Sequence, residues 1–166
     1  MNELLIQAAL VKAANDAGGH GFKCSNAFTV GVADLSLVLP GYSHWFLEVK
    51  FLRGLRLSER YPLELTAHQS KFLREVQQAG GCAGWILAVE VKSGTGRVAM
   101  QVGTDHEADH VLMASPLLVD LNVDPARVGL FRDRGGAWPI VAIMQRLLVS
   151  HEMSRHKTAI RACMEA

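Results

Sequence analysis

The chain has 166 residues, about half of them hydrophobic, and a formal net charge of +1. That is enough apolar material for one substantial core, and too little charge for a global field that would by itself announce nucleic acid. Three widely separated cysteines, Cys24, Cys82 and Cys163, show no C-x-x-C spacing, which argues against a disulfide framework or zinc knot and for a reducing compartment.

The opening residues Met1 to Leu5 lack the basic segment and apolar run of a signal peptide, and no apolar stretch reaches membrane-spanning length. The expectation is a soluble, cytoplasmic protein with no membrane partner. Residues 2–16 predict a helix with Leu4, Leu5, Ala8 and Val11 on its apolar face, stopped by Gly18-Gly19. Residues 21–30 are ambiguous and read as an extended strand.

A β-hairpin follows. Its first arm is residues 33–39, with Leu35, Leu37 and Leu39 alternating, and its second is residues 44–50, with Trp45, Leu47 and Val49 alternating. Pro40-Gly41 suits the two central positions of a type II turn, because Pro presets φ and Gly accepts positive φ. Counting back from a two- or four-residue loop sets Asp34 opposite residue 47 or 49, within one position of Glu48. Glu48 and Lys50, two apart on a strand, point to one face. Two carboxylates and an ammonium are thereby gathered on half-buried strands, where ionised acids need partners or a metal. Acidic and basic residues on strands also form plain solvated faces, and an E-x-K triplet alone is common.

From Lys50 to Arg74, six basic residues stand against two acidic ones, with His68 in addition. Two readings are open: a solvated loop and helix face, or a rim of Arg53, Arg56, Arg60, His68 and Lys71 tracking phosphates. Residues 53–65 read as a polar connection containing Pro62. Thr66 is a good N-cap for the next helix, which Gly80-Gly81 ends. Gln69 lies on that helix's apolar stripe with Phe72, Leu73 and Val76. It either closes a capping box with Thr66 or points toward the carboxylates. Residues 85–91 form a buried strand, 93–96 a turn, and 97–102 its partner. His106 and His110 have the i,i+4 spacing of a helical metal pair, though a solvated loop explains them as well. Residues 112–121 read as a strand or buried segment broken at Pro116. A long helix begins near Trp138, with Ile140, Ile143, Met144, Leu147 and Leu148 on its apolar face as core or oligomer contact.

Taken together, Gly31 to Leu35, Phe46 to Lys50, Leu65 to Gln69 with Phe72-Leu73, and Ala79 to Gly81 leading into the strand at Trp85 resemble the PD-(D/E)xK nuclease superfamily. The likeness is to VRR-NUC domains and archaeal-type Holliday-junction resolvases, over roughly residues 3 to 91. The resemblance implies an α/β, restriction-endonuclease-like αβββαβ core with a mixed central sheet flanked by helices. That core would span residues 1–103, with 104–166 as a C-terminal helical extension, packed on the core or forming an oligomer interface. It implies Asp34 and Glu48 as ligands to Mg²⁺ or Mn²⁺ with the Val49 backbone carbonyl, Lys50 orienting the attacking water, and Gln69 as the family's helix glutamine. Glu3 is similar, more loosely, to the first-helix acidic residue, and Ala33 stands where the family name has Pro. The implied activity is metal-dependent, structure-selective DNA endonuclease chemistry by a homodimer in a bacterial or phage-infected cell. Two rivals remain: an inactive nuclease-fold module for DNA binding or assembly, and a metal enzyme built on His106 and His110.

Overall fold

A computed structural model describes residues 2–24, 31–54, 60–91, 97–113, 116–121, 131–132 and 139–164. The elements run α1 (Glu3–Asp16), β1 (His20–Lys23), β2 (Leu35–Val38), β3 (Trp45–Arg53), β4 (Arg60–Pro62), α2 (Ala67–Gln78), β5 (Cys82–Glu90), β6 (Arg97–Gly103), β7 (His110–Leu112), β8 (Leu117–Leu121), β9 (Phe131–Arg132) and α3 (Pro139–Met164). A seven-stranded sheet of order β1-β2-β3-β5-β6-β8-β9 carries the fold, and β4 and β7 form a separate two-stranded ribbon. The first three strands are an antiparallel meander, and β5 returns parallel to β3 through α2. The result is a mixed sheet flanked by helices, with the αβββαβ order expected.

The reversal after β2 is the expected turn. Tyr42 N–H donates to the Leu39 carbonyl at 3.0 Å, and Gly41 sits at φ 80°. The register differs from expectation. Leu35, Ser36 and Leu37 oppose Leu47, Phe46 and Trp45. The last paired residues are Leu37 and Trp45, so seven residues, an odd number, lie between them, with Ser43 and His44 lengthening the reversal beyond the turn. Continuing that register sets Asp34 against Glu48 itself, rather than against residue 47 or 49.

Alternation along the strands gives the sheet two faces. Leu35, Leu37, Trp45, Leu47, Val49, Ile86, Ala88 and Met100 pack under α1 and α3 in one cluster. On the other face α2 lays Leu73 on Ala33 and Ala83, while the β4–β7 ribbon lays Tyr61, Leu63, Val111 and Met113 over Trp85 and Leu87. The ribbon corrects the reading of residues 53–65 as a polar connection. Tyr61 is the one buried residue of β4, between exposed Arg60 and Pro62, and so gives no alternating pattern.

The apolar face assigned to α1 is also corrected. Leu4 is 61% exposed and Leu5 37%, and the buried side is Ile6, Ala9, Leu10, Ala13 and Ala14. Apolar residues surround this helix, so periodicity does not choose between faces. The buried side offers small residues: Ala14 comes close enough that a Cβ on Gly21 would lie 3.3 Å from it. The sheet continues past residue 103 without a break through β8 and β9. Ile140, Ile143, Met144 and Leu147 of α3 are buried in the α1 cluster, while Leu148 of the same expected face is 38% exposed.

Candidate active site

The site forms where β2 and β3 diverge. Hydrogen-bonded pairing ends at Leu35, and the Asp34 side chain takes over: its Oδ2 accepts the Val49 N–H at 2.9 Å. In an extended strand the N–H and C=O of one residue point to the same side, so the Val49 carbonyl is also directed to the side on which Asp34 lies. On the other flank the Cys24 N–H donates to the Asp34 carbonyl at 2.8 Å, which fixes the Asp34 backbone between two strands.

Glu48 is 1% exposed. Its Oε1 accepts from Lys50 Nζ at 3.0 Å and from Gln69 Nε2. Its Oε2 is buried and meets no hydrogen-bond donor among the described residues, while the Glu48 carboxyl lies close enough to that of Asp34 for the two to share a proton. Burial first, and then the negative charge of Asp34, push the Glu48 carboxyl up to about 8, against the opposing pull of Lys50. Near neutrality the metal-free protein therefore keeps a proton on Glu48.

Gln69 resolves its two open readings by doing both. Thr66 Oγ1 accepts the Gln69 N–H at 3.2 Å and Gln69 Oε1 accepts the Thr66 N–H at 2.8 Å, which completes the capping box. The same Oε1 also accepts from Lys50 Nζ at 3.2 Å. With its oxygen committed to two donors, the amide must present nitrogen to Glu48. The cap thereby sets the orientation of a site residue.

Glu3, at the start of α1, reaches the rim of this group. Its carboxyl is raised first by burial and then by Asp34, and is held back by Lys50, by a hydrogen bond from the Phe51 N–H, and by Lys23. Among the described residues no three His, Cys, Asp or Glu side chains gather at metal-binding separation. Two carboxylates, a carbonyl and solvent waters suit Mg²⁺, which is characteristically held by one or two carboxylates and keeps its waters. A buried Glu48 oxygen that meets no donor, and a carboxyl that keeps its proton beside Asp34 rather than ionise, are what a cation there would relieve, so the donor set fits the implied metal.

The proposed phosphate-tracking residues are dispersed. Arg53 and Arg60 are exposed at the ends of β3 and β4. Lys71 is exposed and lies 3.7 Å from Glu75 on the next helical turn. His68 is exposed in the first turn of α2, and Arg56 lies outside the described residues. Gly31, which sequence reading used only as part of a motif, has a physical role. It sits at φ 88°, and a Cβ there would come within 2.6 Å of His68 Cβ. Only glycine lets the segment leading to Asp34 pass this close to α2.

His106 and His110 do not share a helix. His106 lies in a turn and pairs with Gln77 Oε1 at 3.0 Å, while His110 opens β7 and faces Asp109 at 3.2 Å. Their i,i+4 spacing has no structural consequence.

No family model matches the chain, and no curated protein matches it. Among solved structures it is similar to Hjc, a Holliday junction resolvase from the archaeal hyperthermophile Archaeoglobus fulgidus. The match has 15% identity and a TM-score of 0.36, and covers 57% of this chain and 71% of that one.

Proposed function

We propose that the chain is a metal-dependent nuclease of the PD-(D/E)xK kind that hydrolyses phosphodiester bonds in DNA, selecting branched, flapped or junction structures. The observation that supports it is the convergence of Asp34, Glu48, Lys50 and Gln69, with one buried Glu48 oxygen that meets no donor. Asp34, Glu48 and the Val49 carbonyl would hold Mg²⁺ or Mn²⁺, with Glu3 at the edge of the shell. Such an ion, when bound, activates water and neutralises charge building on the phosphate.

The chain's own residues supply the rest. Gln69 holds Glu48 Oε1 from one side and leaves Oε2 free to ligate. Lys50 keeps its ammonium between Glu48 and Gln69, and it has a third proton to offer to a water or a phosphate oxygen. Arg53, Arg60, His68 and Arg56 give positive or polar contacts to phosphates, which carry no sequence information; Lys71 joins them by exchanging Glu75 for phosphate. The reading includes a homodimer, as two symmetric cuts require, and sedimentation measures it.

The test is a panel of nicked, flapped, four-way, duplex and single-stranded DNA with Mg²⁺, Mn²⁺ or EDTA. Cutting that needs metal and falls by at least about a hundredfold in Asp34→Ala and Lys50→Ala is expected. No cutting of any substrate, or cutting that survives both substitutions, refutes it.

A further inference from the structure

The face of the meander that carries Asp34 and Glu48 continues as two more rows of side chains. Register sets Cys24, Asp34 and Glu48 in the first row and Phe22, Ser36 and Phe46 in the second. His20 opposes Val38 in the third, with His44 at its β3 end. These two outer rows contain no acid. Phe22, at the β1 end of its row, is 48% exposed, and at the β3 end Phe72 of α2 meets Phe46 edge-on at 5.6 Å.

The His44 ring is held in place. Ser36 is 1% exposed, and its Oγ pairs with His44 Nε2 at 2.6 Å. That bond tethers an exposed imidazole to the sheet, 4.9 Å from Phe46. His20 lies 5.8 Å from Phe22. A buried hydroxyl spent on fixing one exposed ring gives a pre-set π-surface rather than a mobile side chain.

We infer that Phe22 and His44, with His20, form a stacking platform for unpaired bases of a DNA strand whose phosphate lies at the carboxylate pair. The inference deepens the nuclease reading and rests on it for what occupies the first row. Two residues along a strand cover about 6.8 Å, twice the ~3.4 Å rise per nucleotide of a stacked strand. Only a strand freed from its partner and stretched can set successive bases on successive rows, and a duplex keeps its bases inside. Ring faces accept any base, so the platform selects unpaired over paired DNA without reading sequence. The site would then cut beside a single-stranded segment, at a flap or an open junction.

The experiment is fluorescence anisotropy of the full chain with labelled single-stranded, flapped and duplex DNA, in EDTA and in Ca²⁺. Phe22→Ala and, separately, His44→Ala should weaken single-strand and flap binding by about five- to a hundredfold. Duplex binding should stay within about twofold. Phe22→Trp should keep the affinity, with an indole fluorescence quenched by a strand bearing bases and not by an abasic one. Circular dichroism of each variant separates lost contact from lost fold. An unchanged ratio of single-strand to duplex affinity in both alanine variants overturns the platform. So does a wild-type dimer that Phe22→Ala turns into monomer in sedimentation, since the face would then belong to a second copy. Phe22-dependent strand binding without metal-dependent cutting retires the nuclease reading alone, whereas cutting at flaps that ignores Phe22 and His44 retires the platform alone.

Discussion

Glu48 sets the behaviour of the site at the residue scale. The folded chain holds a proton on it between the ordinary 4.5 and about 8, whereas the unfolded chain has released that proton. Stability of the metal-free protein should therefore fall as pH rises through that window, and be greatest below it. Urea midpoints at about pH 5 and about pH 8 measure this. Glu48→Gln should flatten the slope, raise stability at the upper pH and abolish cutting. Mn²⁺ should flatten it in the native chain by displacing the proton. An equal slope in native and Glu48→Gln protein would contradict the assignment. Gln69→Glu separates the two roles of that residue. A glutamate completes a capping box as well as a glutamine does, but an ionised one cannot donate to Glu48. Its midpoint in urea should move by no more than about 1 kcal/mol in stability, while turnover should fall by about tenfold or more. Turnover left unchanged by Gln69→Glu would leave Gln69 a cap and nothing else.

At the scale of elements, the hairpin, α2, β5 and α3 were legible because each has a strong local signal. These are Pro40-Gly41, the Thr66 cap, an unbroken apolar run, and Pro139 before a periodic stripe. Proximity of Asp34 to Glu48 was legible for the same reason, although the register was not. Ser43 and His44 carry no signal of whether they belong to strand or connection. The face of α1 was not legible either, since the choice is made by how closely the helix approaches Gly21 and not by the helix itself. Leu4→Gln should thus change stability by less than about 0.5 kcal/mol, and Ile6→Ala should cost about 2–5 kcal/mol, both read from urea midpoints. The reverse order would restore the periodicity-based face. Gln69 shows why the rest of the site stayed open. A capping box and a site contact predict the same residue, and only tertiary placement reveals that both hold.

The whole molecule depends on its last helix. Ile140, Ile143, Met144 and Leu147 are at most 1% exposed, in the cluster that holds α1 against β2 and β3. Burying four such side chains contributes about 6–12 kcal/mol, as much as the net stability of a typical domain. A chain ending near Arg134 should therefore lack a cooperative unfolding transition by circular dichroism, and a stable, monomeric truncation would show that α3 is dispensable. No helix among the described residues is long and apolar enough to cross a membrane. The expected strand or buried segment at residues 112–121 contains β8, whereas β9, two residues at the edge of the sheet, is too short to leave any periodicity. The decisive experiment is a crystal soaked in manganese and measured at the manganese absorption edge. An anomalous peak should stand between Asp34 and Glu48, about 2.0–2.4 Å from a carboxylate oxygen of each, with Glu48 Oε2 among the ligands. A crystal with the ion elsewhere, or with no peak between these two acids at millimolar manganese, would contradict it.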